Sequence, residues 1–181
     1  RRKHLKGPAA ELARIVDVVT AHALAHPEVR FQLHHGHREI LRTSGSGDRA
    51  VAVLECFGPT VAGALIPVEA REDSWRVAGY VGAPGIARAT RSWQFFSING
   101  RPVRQPVLRF SAENAYRHLL PGRRYPVLVL DITLPAHEVD VNVHPAKLEV
   151  RLVRERAVAA LVHRAVQQAL ARRRLLPGWE T

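Results

Sequence analysis

Val139-Asp-Val-Asn-Val-His-Pro-Ala-Lys-Leu-Glu-Val150 alternates apolar and polar residues on both sides of a single proline. Val139, Val141 and Val143 fall on one face, with Asp140, Asn142 and His144 on the other. Beyond the interruption Leu148, Val150 and Leu152 alternate with Lys147, Glu149 and Arg151. A period of two is that of a strand with one buried face, so the spacing predicts two short strands joined at His144-Pro145-Ala146. Pro145 has no N–H for a ladder and pushes His144 toward extended backbone, which turns the chain and sets Lys147 at the head of the second strand. That lysine stands out by contrast, because of 27 basic residues only Lys3, Lys6 and Lys147 are lysines. An ammonium is a compact point charge suited to one phosphate oxygen, whereas a guanidinium is a planar fork. By spacing alone, a solvated strand residue is the plainer reading.

Outward from this stretch, Val158, Leu161, Val162, Ala165, Val166, Ala169 and Leu170 recur in helical register up to Arg172-Arg-Arg174, where cations suit the negative end of a helix dipole. On the other side, Val127 to Leu134 is an apolar run of strand length. A helix is predicted from Pro106, with Leu108, Ala112, Ala115, Tyr116 and Leu119 on one face and Pro121-Gly122 to stop it. Three further strands are predicted over Val61 to Val68, Ser74 to Val81 and Ser92 to Ile98, the last closed by an Asn99-Gly100 turn.

Nearer the start, Leu12, Ile15, Val16, Val19 and Ala23 mark a helix that Pro27 closes, followed by a hairpin of Val29 to Leu33 and Arg38 to Arg42 around His34-His-Gly-His37. Ser44-Gly-Ser-Gly47 has linker composition, and Asp48 behind it is an N-cap for a short helix through Val51, Leu54 and Cys56. The boundary is therefore placed so that residues 1–47 form one segment and 48–181 a domain. Strands gathered into one sheet, with helices interleaved late, predict an α+β two-layer sandwich.

Composition narrows the function. The charge of +11 and a pI near 11.2 call for a polyanionic partner, nucleic acid first. No run approaches the length of a membrane span, so no membrane partner is expected. Cys56 is alone, which excludes an internal disulfide and fits a cytoplasmic setting. The chain has no methionine and begins at Arg1, so it reads as a piece of a longer protein. His34, His35 and His37, and separately His22 and His26, have no carboxylate or thiolate at ligand spacing, so no metal site is expected. Cys56 among Leu54 and Phe57 reads as a buried hydrophobe, and no Walker-type glycine loop is present; no catalytic residue is expected in the chain. Arg101 and Arg104 flank a turn and can reach a phosphate backbone, while the lack of interleaved aromatics speaks against base stacking.

Asp140-Val-Asn-Val-His-Pro-Ala-Lys147 with Glu149-Val-Arg151, Phe96-Ser-Ile-Asn-Gly-Arg-Pro-Val103 and the basic run Arg1 to Lys6 together resemble the MutL family of mismatch-repair ATPases, in the family's order and over essentially the whole chain. The resemblance implies a ribosomal-protein-S5-domain-2-like fold with a left-handed crossover around the helix from Pro106. It makes residues 1–47 the end of a nucleotide-binding domain and 48–181 the transducer. It implies that Lys147 reaches the γ-phosphate of ATP held, with Mg2+, by an upstream domain of the GHKL type, its loop set by Asn142, His144 and Pro145. It further implies that Arg101 and Arg104 face duplex DNA, bound weakly and without sequence preference, and that ATP state is coupled to homodimerisation, to MutS and to downstream repair proteins. The chain alone is expected to hold no cofactor and to hydrolyse no ATP. Two alternatives stay open: a stand-alone nucleic-acid-binding module of ribosomal S5-like fold, and the transducer of a type II topoisomerase-like ATPase.

Overall fold

The computed structural model describes residues 7–141 and 150–174, the last of these without its side chain. The described chain divides into two compact units that meet at Ala62 and Gly63.

The first unit holds helix α1 (Pro8–Ala25), strands β1 (Gln32–His35) and β2 (Arg38–Arg42), and helices α2 (Arg49–Phe57) and α3 (Pro59–Ala62). Pro8 sits in the first turn of α1, where its missing N–H costs nothing, and Asp48 caps α2 by accepting from Ala50 N at 2.7 Å. The hairpin differs from expectation: His34 and His35 belong to β1, and the turn is only Gly36-His37, because His35 pairs directly with Arg38. The linker placed at Ser44 to Gly47 leads into α2, which packs on α1 and β2 within this same unit. Ser44 N donates to Glu55 Oε2 at 2.9 Å, tying that stretch to the helix.

The second unit is an α+β sandwich. Strands β3 (Leu65–Glu72), β4 (Trp75–Gly82), β5 (Gln94–Ile98), β6 (Arg101–Val103) and β7 (Leu128–Thr133) form one sheet in the order β3-β4-β7-β5-β6. All neighbours are antiparallel except β5 and β7. A parallel pair needs a crossover, and the chain makes it through β6 and helix α4 (Pro106–Asn114). Helix α5 (Glu155–Arg174) packs against α4, β3 and β4, so the two helices cover one sheet face.

Period-two and helical patterns meet in this core. Val77, Val81, Leu128, Leu130, Ile132, Phe96 and Ile98 point from the sheet to Leu108, Ala112, Tyr116, Val158, Val162 and Val166 of the helical layer. The Tyr116 ring is buried and its hydroxyl donates to Gly82 O at 2.7 Å, which satisfies the one polar atom it carries inward. Gly79, at φ 136° in the central strand β4, is required by close approach: a Cβ there would stand 2.0 Å from Val129 O. The strand predicted over Val61 to Val68 begins four residues later, because Pro59 to Ala62 form a short helical turn ahead of it.

The stretch around Pro145 forms its own two-stranded ladder in the described residues, β8 (Val139–Asp140) with β9 (Arg151–Leu152), and does not join the large sheet as expected. Residues 142–149 lie outside the described residues.

Candidate functional site

The parallel strands β5 and β7 end together, Ile98 beside Ile132, and the start of β4 lies next to the same end through Arg76 and Thr133. This end of the sheet carries the Asn99-Gly100 turn with Arg101 and the foot of the β8–β9 ladder, while β6 runs back along β5, Val103 beside Phe96, and takes Arg104 and the β6–α4 junction away from it.

The foot of the ladder is clamped by a buried carboxylate. Glu138, in the turn before β8, is only 6% exposed and accepts from Trp75 Nε1 at 3.0 Å and from Arg154 Nη2 at 2.8 Å and Nε at 3.3 Å. Arg154 also lies over the Trp75 ring, its Cζ 4.2 Å from the centroid. A carboxylate removed from water is tolerated because three donors and one cation meet it. Its hydrogen bonds to Arg154 outweigh the opposing effect of burial and hold the carboxyl below the ordinary carboxylate range. Backbone adds a further tie, Val153 N to Glu138 O at 3.0 Å. Glu138 and Arg154 therefore fasten the two sides of residues 139–153 to each other and to the first residue of β4.

A second fastening comes from Gln105. This residue is 4% exposed at the N-cap position of α4, and its amide Nε2 donates to Val150 O. The side chain does not cap its own helix; it reaches instead to the residue that follows the segment 142–149. The β6–α4 junction, which bears Arg104, is thus bonded to the end of the segment that bears Lys147.

The turn before β6 is fixed just as firmly. Asn99 and Gly100 both have positive φ, 50° and 76°, the two-residue geometry whose twist matches a hairpin. The Asn99 side chain then pairs with backbone: Nδ2 donates to Leu134 O at 3.0 Å and Oδ1 accepts from Leu134 N at 2.9 Å. Arg101 follows half-buried as the first residue of β6 and Arg104 is exposed; neither pairs with a carboxylate among the described residues.

Among the predicted site residues, Arg101 follows the Asn99-Gly100 turn beside Ile98, whereas Arg104 lies past the other end of β6, next to Gln105 and its bond to Val150, so the two do not flank one turn as the sequence suggested. Lys147, Asn142, His144 and Pro145 lie outside the described residues. Trp75, Gln105, Glu138 and Arg154 were not singled out in the sequence, since each reads locally as an ordinary strand, cap or surface residue. Elsewhere, burial pushes the Cys56 thiol up to about 12, with Glu55 adding to the effect, so it is no nucleophile. His34 Nε2 lies 3.8 Å from Glu39 Oε2, and among the described residues no three His, Cys, Asp or Glu side chains gather as metal ligands. No helix of the described residues is long and apolar enough to cross a membrane.

Residues 53–171 match the family described as DNA mismatch repair protein, C-terminal domain. The DNA mismatch repair protein MutL of Symbiobacterium thermophilum is 49% identical over 180 residues, which is 99% of this chain and 28% of that protein. MutL of Desulforudis audaxviator is 44% identical over 98% of this chain and 31% of its own length. The chain thus spans less than a third of the relatives it matches. Among solved structures, the N-terminal domain of a DNA repair protein superposes with a TM-score of 0.77 at 22% identity, covering 92% of this chain and 55% of that one. The Aquifex aeolicus MutL ATPase domain with a K252N mutation gives 0.65, also at 22%, over 91% of this chain and 55% of that one. At such identity these two structures speak for the shared fold. The sequence matches favour the mismatch-repair reading over the ribosomal and topoisomerase-like alternatives.

Proposed function

From the premise that this chain belongs to the MutL family of DNA mismatch repair proteins, we propose that its second unit is a transducer. It passes the nucleotide state of an ATPase domain in the intact protein to DNA and repair partners. Residues 1–47 are then the end of the nucleotide-binding domain, and α2 and α3, which belong to the same compact unit, lead from it into the second. The observation that supports this reading is the double fastening of the segment 142–149. Glu138, Trp75 and Arg154 hold its stem, and Gln105 holds its far end. A loop anchored on both sides can hold one ammonium in place, and a pre-positioned charge contributes more to phosphate binding than a free one.

In this reading Lys147 donates to a γ-phosphate oxygen of ATP and Asn142, His144 and Pro145 shape its loop. ATP with Mg2+ supplies the anionic group that the lysine senses; the remaining groups that hold it lie on the upstream domain. The turn held by Asn99 presents Arg101, and the far end of β6 presents Arg104, to the backbone of duplex DNA, a weak and sequence-indifferent contact. Because Gln105 bonds the Arg104 junction to Val150, a shift of the lysine loop is felt at Arg104 and, along β6, at Arg101. Coupling to homodimerisation, to MutS and to downstream proteins follows from the same linkage.

Lys147→Ala in the intact protein is the test. ATP turnover or ATP-driven dimerisation should fall at least tenfold, since one charge-assisted hydrogen bond contributes about 1.5–3 kcal/mol, while the melting temperature stays put. Lys147→Arg should recover only part of the loss. Unaltered turnover in the alanine variant would refute the assignment.

A further inference from the structure

Nine arginines stand against a single carboxylate, Glu113, between Ser74 and Leu130, so most of the net charge of the chain resides in this part of the second unit. Arg101 occupies one end of the sheet, beside Ile98. At the other end, where β4 finishes and β5 and β7 begin, the loops before β5 and β7 bring together four more. A backbone bridge joins the loops, Arg88 N to Tyr125 O and Tyr125 N to Arg88 O, both at 2.8 Å.

On that bridge the guanidiniums stack on aromatic rings. Arg88 Cζ lies 4.1 Å from the centroid of Trp93, and Arg91 Cζ lies 4.2 Å from that of Tyr125. Arg124 Nη1 donates to Ala87 O at 3.2 Å, which brings a third guanidinium to the same loop. Arg123 is exposed beside it, held at φ 62°. Only Arg91 is neutralised, by the two oxygens of Glu113 at 2.7 and 3.0 Å. No carboxylate among the described residues pairs with Arg88, Arg123 or Arg124, and the buried Arg88 Nε has no hydrogen-bond partner. Stacking fixes a guanidinium in place while leaving its edge donors unspent, the arrangement suited to a phosphate oxygen.

We propose that Arg88, Arg123 and Arg124, set on Trp93 and Tyr125, form a second contact for the phosphate backbone of duplex DNA, at the end of the sheet remote from Arg101. The five residues of β5 separate Arg101 from this cluster by about 13 Å at roughly 3.3 Å per residue, close to the roughly 12 Å width of the major groove. Arg101 and a basic cluster at that separation match the two backbones bordering a groove. Bases are not the target, because a guanidinium already covers one face of each ring. The proposal deepens the DNA contact assigned to Arg101 and rests on that reading for its orientation.

The test is duplex DNA binding by the intact protein, followed by fluorescence anisotropy over a salt series. Arg123→Gln with Arg124→Gln should flatten the slope of log affinity against log salt by about 1.8, at roughly 0.9 per lost contact. The affinity lost between 50 and 200 mM salt should then shrink by roughly tenfold. Arg123→Lys with Arg124→Lys should keep the slope, and all variants should melt with the wild type. An unchanged slope in the glutamine pair, with Arg101→Glu still weakening binding, would overturn this second contact and leave the Arg101 reading standing. A flattened slope in the glutamine pair with no effect of Arg101→Glu would keep the second contact and remove the first. A glutamine pair that melts early and loses slope only in proportion to its unfolded fraction would assign the arginines to folding and also overturn the proposal.

Discussion

Gln105→Leu tests the fastening on which the proposed coupling depends. The side chain is 4% exposed, and its Nε2 donates to Val150 O. Leucine keeps most of the volume but cannot donate, so the Val150 carbonyl, on a residue only 6% exposed, loses its partner. An unsatisfied buried acceptor costs about 1–3 kcal/mol, while the added apolar contact returns a part of this. For a domain of this size each kcal/mol moves the melting temperature by about 3–5 °C, so a fall of about 3–10 °C is expected. The functional effect should be larger than the global one. The segment 142–149 would be held only at its Glu138 side, so limited proteolysis should cut it sooner and ATP turnover of the intact protein should fall. Gln105→Glu should behave worse, because a carboxylate would face a carbonyl oxygen. The assays are thermal unfolding by circular dichroism, timed proteolysis with mass spectrometry, and phosphate release. A leucine variant that melts, resists protease and turns over as the wild type does would refute the claim that Gln105 positions the lysine segment.

Asn99→Ala removes both backbone pairings with Leu134 and places a Cβ residue of lesser tolerance at φ 50°, so it should destabilise by about 2–4 kcal/mol. Asn99→Gly should recover the conformational part only, and thermal melts of the two separate the terms. Acid should loosen the stem through Glu138. Its carboxyl is held below the ordinary range by Arg154, so its contribution is complete above that range and is lost as pH falls through the lowered value. Glu138→Gln should remove that part of the acid limb from a pH series of melting temperatures; a series parallel to the wild type at every pH would contradict it.

Features written within a few neighbouring residues were legible before any fold was known. The alternation at Val139-Asp140 and Arg151-Leu152, the helical spacing after Glu155, the proline at the start of α4 and the Asp48 cap are each written within a few residues, and each fixes an element type through backbone sterics and one-sided burial. The family resemblance is local in the same sense, since it rides on contiguous runs such as Asn99-Gly-Arg101. The start of β3 was misjudged because Val61 is apolar in either a strand or a helical turn, and Pro59 decided for the turn. The sheet order β3-β4-β7-β5-β6 and the separate β8–β9 ladder were not legible, because strand pairing is settled by which faces find cover, and α4 and α5 cover only one face. The clamp was equally hidden. Trp75 and Glu138 are 63 residues apart, and Gln105 and Val150 are 45 apart. A buried donor or acceptor must find a partner wherever the fold brings one, and no spacing in the chain encodes that meeting. The arginine knot on Trp93 and Tyr125 is the same case: the sequence shows the charges, and only the bridge between two loops makes them one surface.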